Sequence, residues 1–514
     1  MLRSGWVLAR LVILSTTAAA VQNPHAAHLI QVNSATAKAA SAKAAGKDTP
    51  APIAVPPGSE LYTARRGDSL PSVARKYLKK TKYLTSSELA EAIRSANGDL
   101  RGTFLKPGEQ LIIPGILESP IVEKSVPVAR DFEARAIYLT GVMAGSDHGE
   151  RIIRHWREVG GNAVVFDIKD SDGIVNIAFD HPLASGQRHY ISDLPKFVRF
   201  LHSQNMHAIA RIAIFRDEHL VVTHPELAVK SHRTGEPWRE NGKLVWTDPS
   251  NVKVQDYDIA LAKFVAQSGA DEVQFDYVRF PAEGDQKDAG FNFQTEHANW
   301  QRSNVIADFL RRAYAEIHPT GVLLSLDVFG VMAWQRPVDL AHTGQDIVAM
   351  AKHCDVLSPM IYPSHFFGMD GIAKPGDAPE HFIGESMERF KLITKDSGVV
   401  IRPWLQAFAW RTKTYSPQYV EVQVATSKQK GGVGFLFWNA NNDYSKPYAA
   451  MPEMRAAAGK YFRGDKVGVK TEAVVNNSPL PSSAGDGAAA PLKSNGGGQV
   501  ESVDPHKAPT VWRH

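Results

Sequence analysis

One pattern, repeated eight times between Ala134 and about Asn441, constrains this chain more than any other feature: a short apolar run followed by a longer amphipathic stretch. The runs are Ala136–Thr140, Ala163–Asp167, Ala208–Ile212, Glu272–Asp276, Leu323–Asp327, Val356–Met360, Val400–Trp404 and Val433–Phe437. Unbroken apolar runs fit strands buried on both faces, and helices between them make the connections parallel. Eight such units over about 310 residues fit a (β/α)8, TIM-type barrel. A doubly wound open sheet is the rival, but no Gly-rich dinucleotide or phosphate loop follows the first run. HExxH, GxSxG and Walker sequences are absent as well, so the pattern calls for no metal and no cofactor.

Barrels of this kind carry their chemistry where the strands end, which gives priority to polar residues closing an apolar run. Asp167, Asp276 and Asp327 close the second, fourth and fifth runs. A single Asp at a strand end is more often a local cap. Three on one rim point instead to the paired carboxyl groups of glycoside hydrolysis, one acting as acid and the other as nucleophile or base. Asp276 stands out within Gln274-Phe275-Asp276-Tyr277-Val278-Arg279-Phe280-Pro281, where an acid, a phenol and a guanidinium share one strand end. Tyr277, Tyr362, Trp404 and Trp438 end or follow runs, and their rings can stack on sugars or serve the core. Arg211, Arg279, Gln406 and Asn439 are candidates to bond hydroxyls or to keep a carboxylate ionised, with Asp167 beside them in the substrate-binding set. Asp170 and Asp172, in Lys169-Asp170-Ser171-Asp172-Gly173, lack the further oxygen ligands of a calcium loop and read as a turn.

From Ala136 through Asn441 the chain resembles the family of glycosyl-hydrolase-like barrel proteins distantly related to amylase-type and galactosidase-type enzymes. The resemblance is carried by Phe166-Asp167-Ile168-Lys169-Asp170, the Gln274–Pro281 segment, Leu326-Asp327-Val328-Phe329-Gly330, Ser358-Pro359-Met360-Ile361-Tyr362-Pro363 and Gly434-Phe435-Leu436-Phe437-Trp438-Asn439. It implies O-glycosidase activity on a polysaccharide, with Asp276 at the fourth strand as nucleophile and Asp327 at the fifth as acid/base; a catalytically inactive polysaccharide- or peptidoglycan-binding scaffold is the alternative. The amylase-type acid is usually Glu; here the position holds Asp.

Ahead of the barrel, residues 59–116 form a separate small α+β unit. Leu61-Tyr62-Thr63 reads as a strand, Ser69 caps a helix with Pro71 in its first turn, a second helix spans Glu88 to Ala96, and Leu105–Pro114 returns as a strand. Gly67-Asp68-Ser69-Leu70, Asn97 and Lys106-Pro107-Gly108-Glu109-Gln110-Leu111-Ile112-Ile113-Pro114 resemble the LysM module, with a longer segment than usual between the helices, around Lys79 to Ser87. That resemblance implies binding to polymers containing N-acetylglucosamine, a peptidoglycan or chitin-type glycan. Leu61–Gly115 holds ten Lys or Arg against five acids, which suits either a solvated basic face or an anionic polymer. Aromatic residues do not interleave with these charges, so nucleic acid is not the expected partner.

Residues 1–20 read as a signal peptide: Arg3, a short apolar stretch from Trp6 to Leu14 interrupted by Arg10, then Ala18-Ala19-Ala20. Export to the periplasm, the cell envelope or the medium follows, with no integral membrane segment once the signal is cleaved; a signal retained as a membrane anchor is the alternative. Residues 21–58, rich in Ala, Lys, Ser and Pro, read as a disordered linker, and 463–514 as a disordered tail; the barrel domain is expected over 130–462. Cys354 is the only cysteine, so no internal disulfide forms, and its setting just before a strand reads as a packed thiol.

Overall fold

The structure is a computed structural model that describes residues 54–464 except 99 and 101. The expected signal peptide, most of the linker (21–53) and the tail from 465 onward lie outside the described residues. No helix among the described residues is long and apolar enough to cross a membrane.

The small unit pairs β1 (Ser59–Thr63) antiparallel with β2 (Gln110–Pro114), with Tyr62 opposite Leu111. Two helices, α1 (Leu70–Tyr77) and α2 (Ser86–Ala96), bury Leu70, Val73, Leu89 and Ile93 against Leu111 and Ile113. Ser69 caps α1 as its sequence position suggests, in a reciprocal box with Ser72. The second helix begins two residues earlier than expected because Thr85 takes the cap: its hydroxyl accepts from Glu88 N while the Glu88 carboxylate accepts from Thr85 N. Asn97 ties the end of α2 to β2, donating to Ile112 O at 2.9 Å and accepting from Ile112 N at 2.8 Å. The long segment between the helices faces the barrel. Buried Lys196 donates to Leu78 O at 2.9 Å, and Leu84 packs on the barrel's core.

The barrel is closed by eight parallel strand positions. In order they are β3 (Arg135–Leu139), β4 (Ala163–Lys169), β5 (His207–Ala213), β6 (Glu272–Asp276), β7 (Leu323–Phe329) and β8 (Val356–Ile361), then β9 (Val400–Ile401) with β10 (Trp404–Gln406), and β11 (Phe435–Trp438). Pairing of Phe435 with Arg135 closes the ring. All eight apolar runs become strand positions. The seventh is split because Pro403 has no N–H to donate to a ladder, so both halves pair with β8 on either side of Arg402-Pro403. Gly434 enters β11 at φ +76°, where an added Cβ would lie 2.1 Å from Ala134 O, so the closure needs glycine there. Seven helices of ten residues or more wrap the strands, among them α3 (Asp147–Val159), α4 (Leu194–Ser203) and α5 (Val252–Gln267). After β7 two short helices, Pro337–Thr343 and Ile347–Met350, stand in for a long one. Cys354 is buried, and burial pushes its thiol well up, as a packed thiol should behave.

The lower interior of the barrel is ionic. Arg402 Nη1 reaches Glu272 Oε2 at 2.8 Å, and His207 Nε2 lies 3.1 Å from the same oxygen. Burial works against the charge on Glu272, but these partners win and hold its carboxyl at about 2. Outside the barrel, Lys169 lies between Asp258 at 2.7 Å and Asp217 at 3.0 Å, with all three side chains buried.

Candidate active site

Alternation along the strands sets inward residues at Tyr138, Asp167, Arg211, Asp276 and Asp327, above the ionic floor. Arg211 is the hub. Its Nη1 lies 2.5 Å from Asp167 Oδ1 and 3.2 Å from Asp170 Oδ1, and its Nη2 lies 2.7 Å from Asp276 Oδ2. Its Nε is 3.2 Å from Asp276 Oδ2 and 4.0 Å from Asp327 Oδ2. The structure thus brings together Asp167, Arg211, Asp276 and Asp327, and adds Asp170, whose sequence context suggested only a turn.

The two central carboxyls are held differently. Asp276 accepts from Arg211 on one oxygen and from Tyr277 N, at 2.6 Å, on the other. Tyr277 itself takes the left-handed conformation, φ +52°, which costs a non-glycine residue roughly 1–3 kcal/mol and persists only where surroundings enforce it. Those surroundings are the Trp246 ring at 5.9 Å and Arg216, which donates to the Tyr277 hydroxyl at 3.0 Å. Asp327 instead accepts the indole N–H of Trp404 at 2.7 Å. Burial, reinforced by the neighbouring Asp276 charge, pushes Asp327 well above the usual carboxylate range. Asp276 is 8% exposed and Asp327 1%. Asp167 is raised to about 7, chiefly by burial, even though Arg211 and the Tyr138 hydroxyl both bond it. Burial also works against the charge on Asp170, but Arg211, the Ser171 N–H and Arg216 together outweigh it and the carboxyl is lowered.

The remaining sequence candidates take other places. Trp404, expected as a stacking ring, is buried and offers Asp327 its N–H. Arg279 is buried with its guanidinium 4.3 Å from the Phe329 ring centre and donates to Phe280 O at 3.0 Å; it makes no ion pair within 4 Å among the described residues. Gln406 donates to Phe408 O and to Thr412 Oγ1, both at 2.9 Å, and accepts from Ser364 N. Asn439 donates to Ala407 O at 2.6 Å and accepts from Asn441 N. Both amides brace loops. Tyr362 is buried and Trp438 half-buried, with their ring centres 6.0 Å apart. Beside Tyr362 lies a small apolar pocket whose walls include Phe329, Val331, Met360, His365 and Phe366. The residue that sequence reasoning missed is Tyr138, which bonds Asp167, lies under Arg211 and stacks 6.2 Å from Trp438. Its only sequence signal is a phenol inside an otherwise apolar first run.

The family described as "Putative glycosyl hydrolase domain" matches residues 136–444, and the LysM domain matches 62–114. No curated protein matches the chain. Among solved structures, a hypothetical protein from Ruminiclostridium thermocellum ATCC 27405 is 36% identical, covering 37% of this chain and 97% of its own, with a TM-score of 0.34. The glycoside hydrolase domain of PgaB (BpsB) from Bordetella bronchiseptica is 13% identical over 64% of this chain and 99% of its own, TM-score 0.46. The spore cortex-lytic enzyme SleL from Bacillus megaterium QM B1551 is 13% identical over 79% and 87%, TM-score 0.39. With a match spanning nearly the whole barrel and more than half of its length, the chain belongs to the glycosyl hydrolase-like family so described, carried behind a LysM domain.

Proposed function

We propose that the barrel hydrolyses O-glycosyl bonds in an envelope or extracellular polysaccharide, and that the LysM domain anchors it to a peptidoglycan or chitin-type glycan. The observation that carries this reading is the unequal treatment of two neighbouring acids. Asp276 accepts from a guanidinium on one oxygen and from a backbone N–H on the other. Asp327, buried and close to Asp276, is pushed toward the neutral acid. A carboxyl pushed toward its neutral form beside a second carboxyl held by fixed donors is the arrangement an acid and a nucleophile or base require. In the proposed reaction Asp276 supplies negative charge to the anomeric carbon as the glycosidic C–O bond breaks. Asp327 gives its proton to the leaving oxygen, and water completes the hydrolysis. Tyr138 and Asp167 hold Arg211 in place behind the reacting atoms. Export, as the N-terminal sequence suggests, would set this activity in the envelope or outside the cell.

A second reading, a glycan receptor without catalysis, draws on the 1% exposure of Asp327 and on the engagement of both Asp276 oxygens. The full chain incubated with glycol chitin, peptidoglycan glycan strands and bacterial exopolysaccharides separates the two. New reducing ends that vanish in Asp276→Asn support hydrolysis. Binding without reducing ends on any of them supports the receptor.

A further inference from the structure

Trp410 stands 40% exposed beyond the end of β10, at the outer end of a run of rings that starts beside the carboxyls. Tyr362 lies 5.6 Å from Phe408, which is also 5.6 Å from Trp438. His365 joins Phe408, at 6.0 Å, to Trp410, at 4.9 Å. Phe367 lies 6.0 Å beyond, edge-on to Trp410. Tyr362 is buried, Trp438, Phe408 and His365 are half-buried, and Trp410 is exposed. A cluster that serves only the core ends at the surface; this one is graded into solvent.

The outer end is also held rigid. Gln406 grips Phe408 O and Thr412 Oγ1 from beneath, and the Asp377 carboxylate accepts from Lys413 N at 2.7 Å and Thr414 N at 3.1 Å. Arg411 takes φ +50° and lies over both Phe367, at 4.0 Å, and Trp410, at 4.4 Å. It is exposed and makes no ion pair within 4 Å among the described residues, so its donors face solvent. The rings meet mostly edge to face, so together they offer alternating ring faces and edges, with a hydrogen-bond donor at the outer end, to the apolar faces and hydroxyl edges of a sugar chain.

We propose that this run of rings is a binding lane for an extended glycan, so that the site takes a polymer of several sugar units entering over the loops that follow β8 and β10. Trp410 and Phe408 stack successive sugars, Arg411 bonds their oxygens, and Gln406 positions the lane. The proposal rests on the glycosidase reading and deepens it by naming the surface along which the polysaccharide lies.

The test is native affinity electrophoresis of the full chain, with Trp410→Ala, Trp410→Phe and Phe408→Ala, in gels containing glycol chitin, hydroxyethyl cellulose, alginate or dextran. Wild type is expected to be retarded by at least one polymer. Trp410→Ala should raise the apparent Kd about threefold or more while Trp410→Phe keeps most of the retardation. Trp410 is exposed, so its variants should fold, and matching thermal midpoints check that. Equal migration of wild type and Trp410→Ala in every gel, whether or not a polymer retards them, overturns the lane. Reducing ends measured on the same polymers keep the two readings apart. Hydrolysis with no effect of Trp410→Ala leaves the glycosidase standing without the lane. Retardation that depends on Trp410, without hydrolysis, leaves the lane standing without the glycosidase.

Discussion

The Arg211 guanidinium grips one oxygen of Asp276 with both Nη2, at 2.7 Å, and Nε, at 3.2 Å. This pairing organises the upper barrel, because the same guanidinium also holds Asp167 and Asp170. Replacing Arg211 by Met leaves three carboxyls without their shared cation. Removing one partner of a buried ion pair costs about 3–5 kcal/mol, so urea unfolding should show a loss of that order. Arg211→Lys keeps the charge but not the planar fork, and should remain clearly less stable than wild type.

Trp404→Phe removes the N–H that Asp327 accepts at 2.7 Å while keeping most of the ring. That bond favours the ionised carboxyl, so its loss drives the already raised Asp327 higher still. With Asp327 as the general acid, the basic limb of the rate profile should move to higher pH. A pH profile of kcat/KM for the two proteins reads this directly, and a limb that moves down or stays fixed contradicts the role given to Asp327.

The Lys169 cluster makes a prediction about stability. Asp258 is raised from its usual 3.8 to about 7, first by burial, which outweighs the attraction of Lys169. A carboxyl raised on folding binds more protons in the native state than in the unfolded one. Its contribution is therefore fully present below about pH 4 and is lost as pH rises through about 7. Asp258→Asn, which leaves Lys169 paired with Asp217 alone, should flatten the decline of unfolding free energy between those limits. Denaturant titrations at intervals across the window measure it.

Lys196→Met deletes the buried donor to Leu78 O and should loosen the LysM domain by about 1–2 kcal/mol. Leu78 O also accepts from the Thr81 backbone and hydroxyl, so the loss stays modest. Faster hydrogen exchange over residues 78–84, with exchange in the barrel strands unchanged, is the expected signature.

These contacts also show what the linear sequence could carry. Strands buried on both faces leave unbroken apolar runs, so all eight strand positions were legible; Asp276 ends its strand as read, whereas the strands of Asp167 and Asp327 run two residues further, to Lys169 and Phe329. What an end residue touches was not legible. Trp404 and Asp327 are 77 positions apart, and no local pattern tells a ring that stacks on sugar from one that donates across a barrel. Gln406 and Asn439 have the right chemistry for hydroxyls, yet their amides satisfy loop backbone that only the folded chain brings near. Tyr138 looked like one more apolar residue in its run. The early start of α2 was a local signal passed over, since Thr85 and Glu88 stand three apart as a capping box requires.

The most direct test of the account compares Asp276→Asn and Asp327→Ala on a polysaccharide the wild type hydrolyses and on an activated aryl glycoside of the same sugar. Asp276→Asn should be nearly inactive on both, because the charge that meets the anomeric carbon is gone. Asp327→Ala should lose activity on the polysaccharide but keep a much larger share on the aryl glycoside, whose leaving group needs little protonation. Wild-type turnover by both variants, with their folding intact, would contradict the assignment and move the chemistry elsewhere in the barrel.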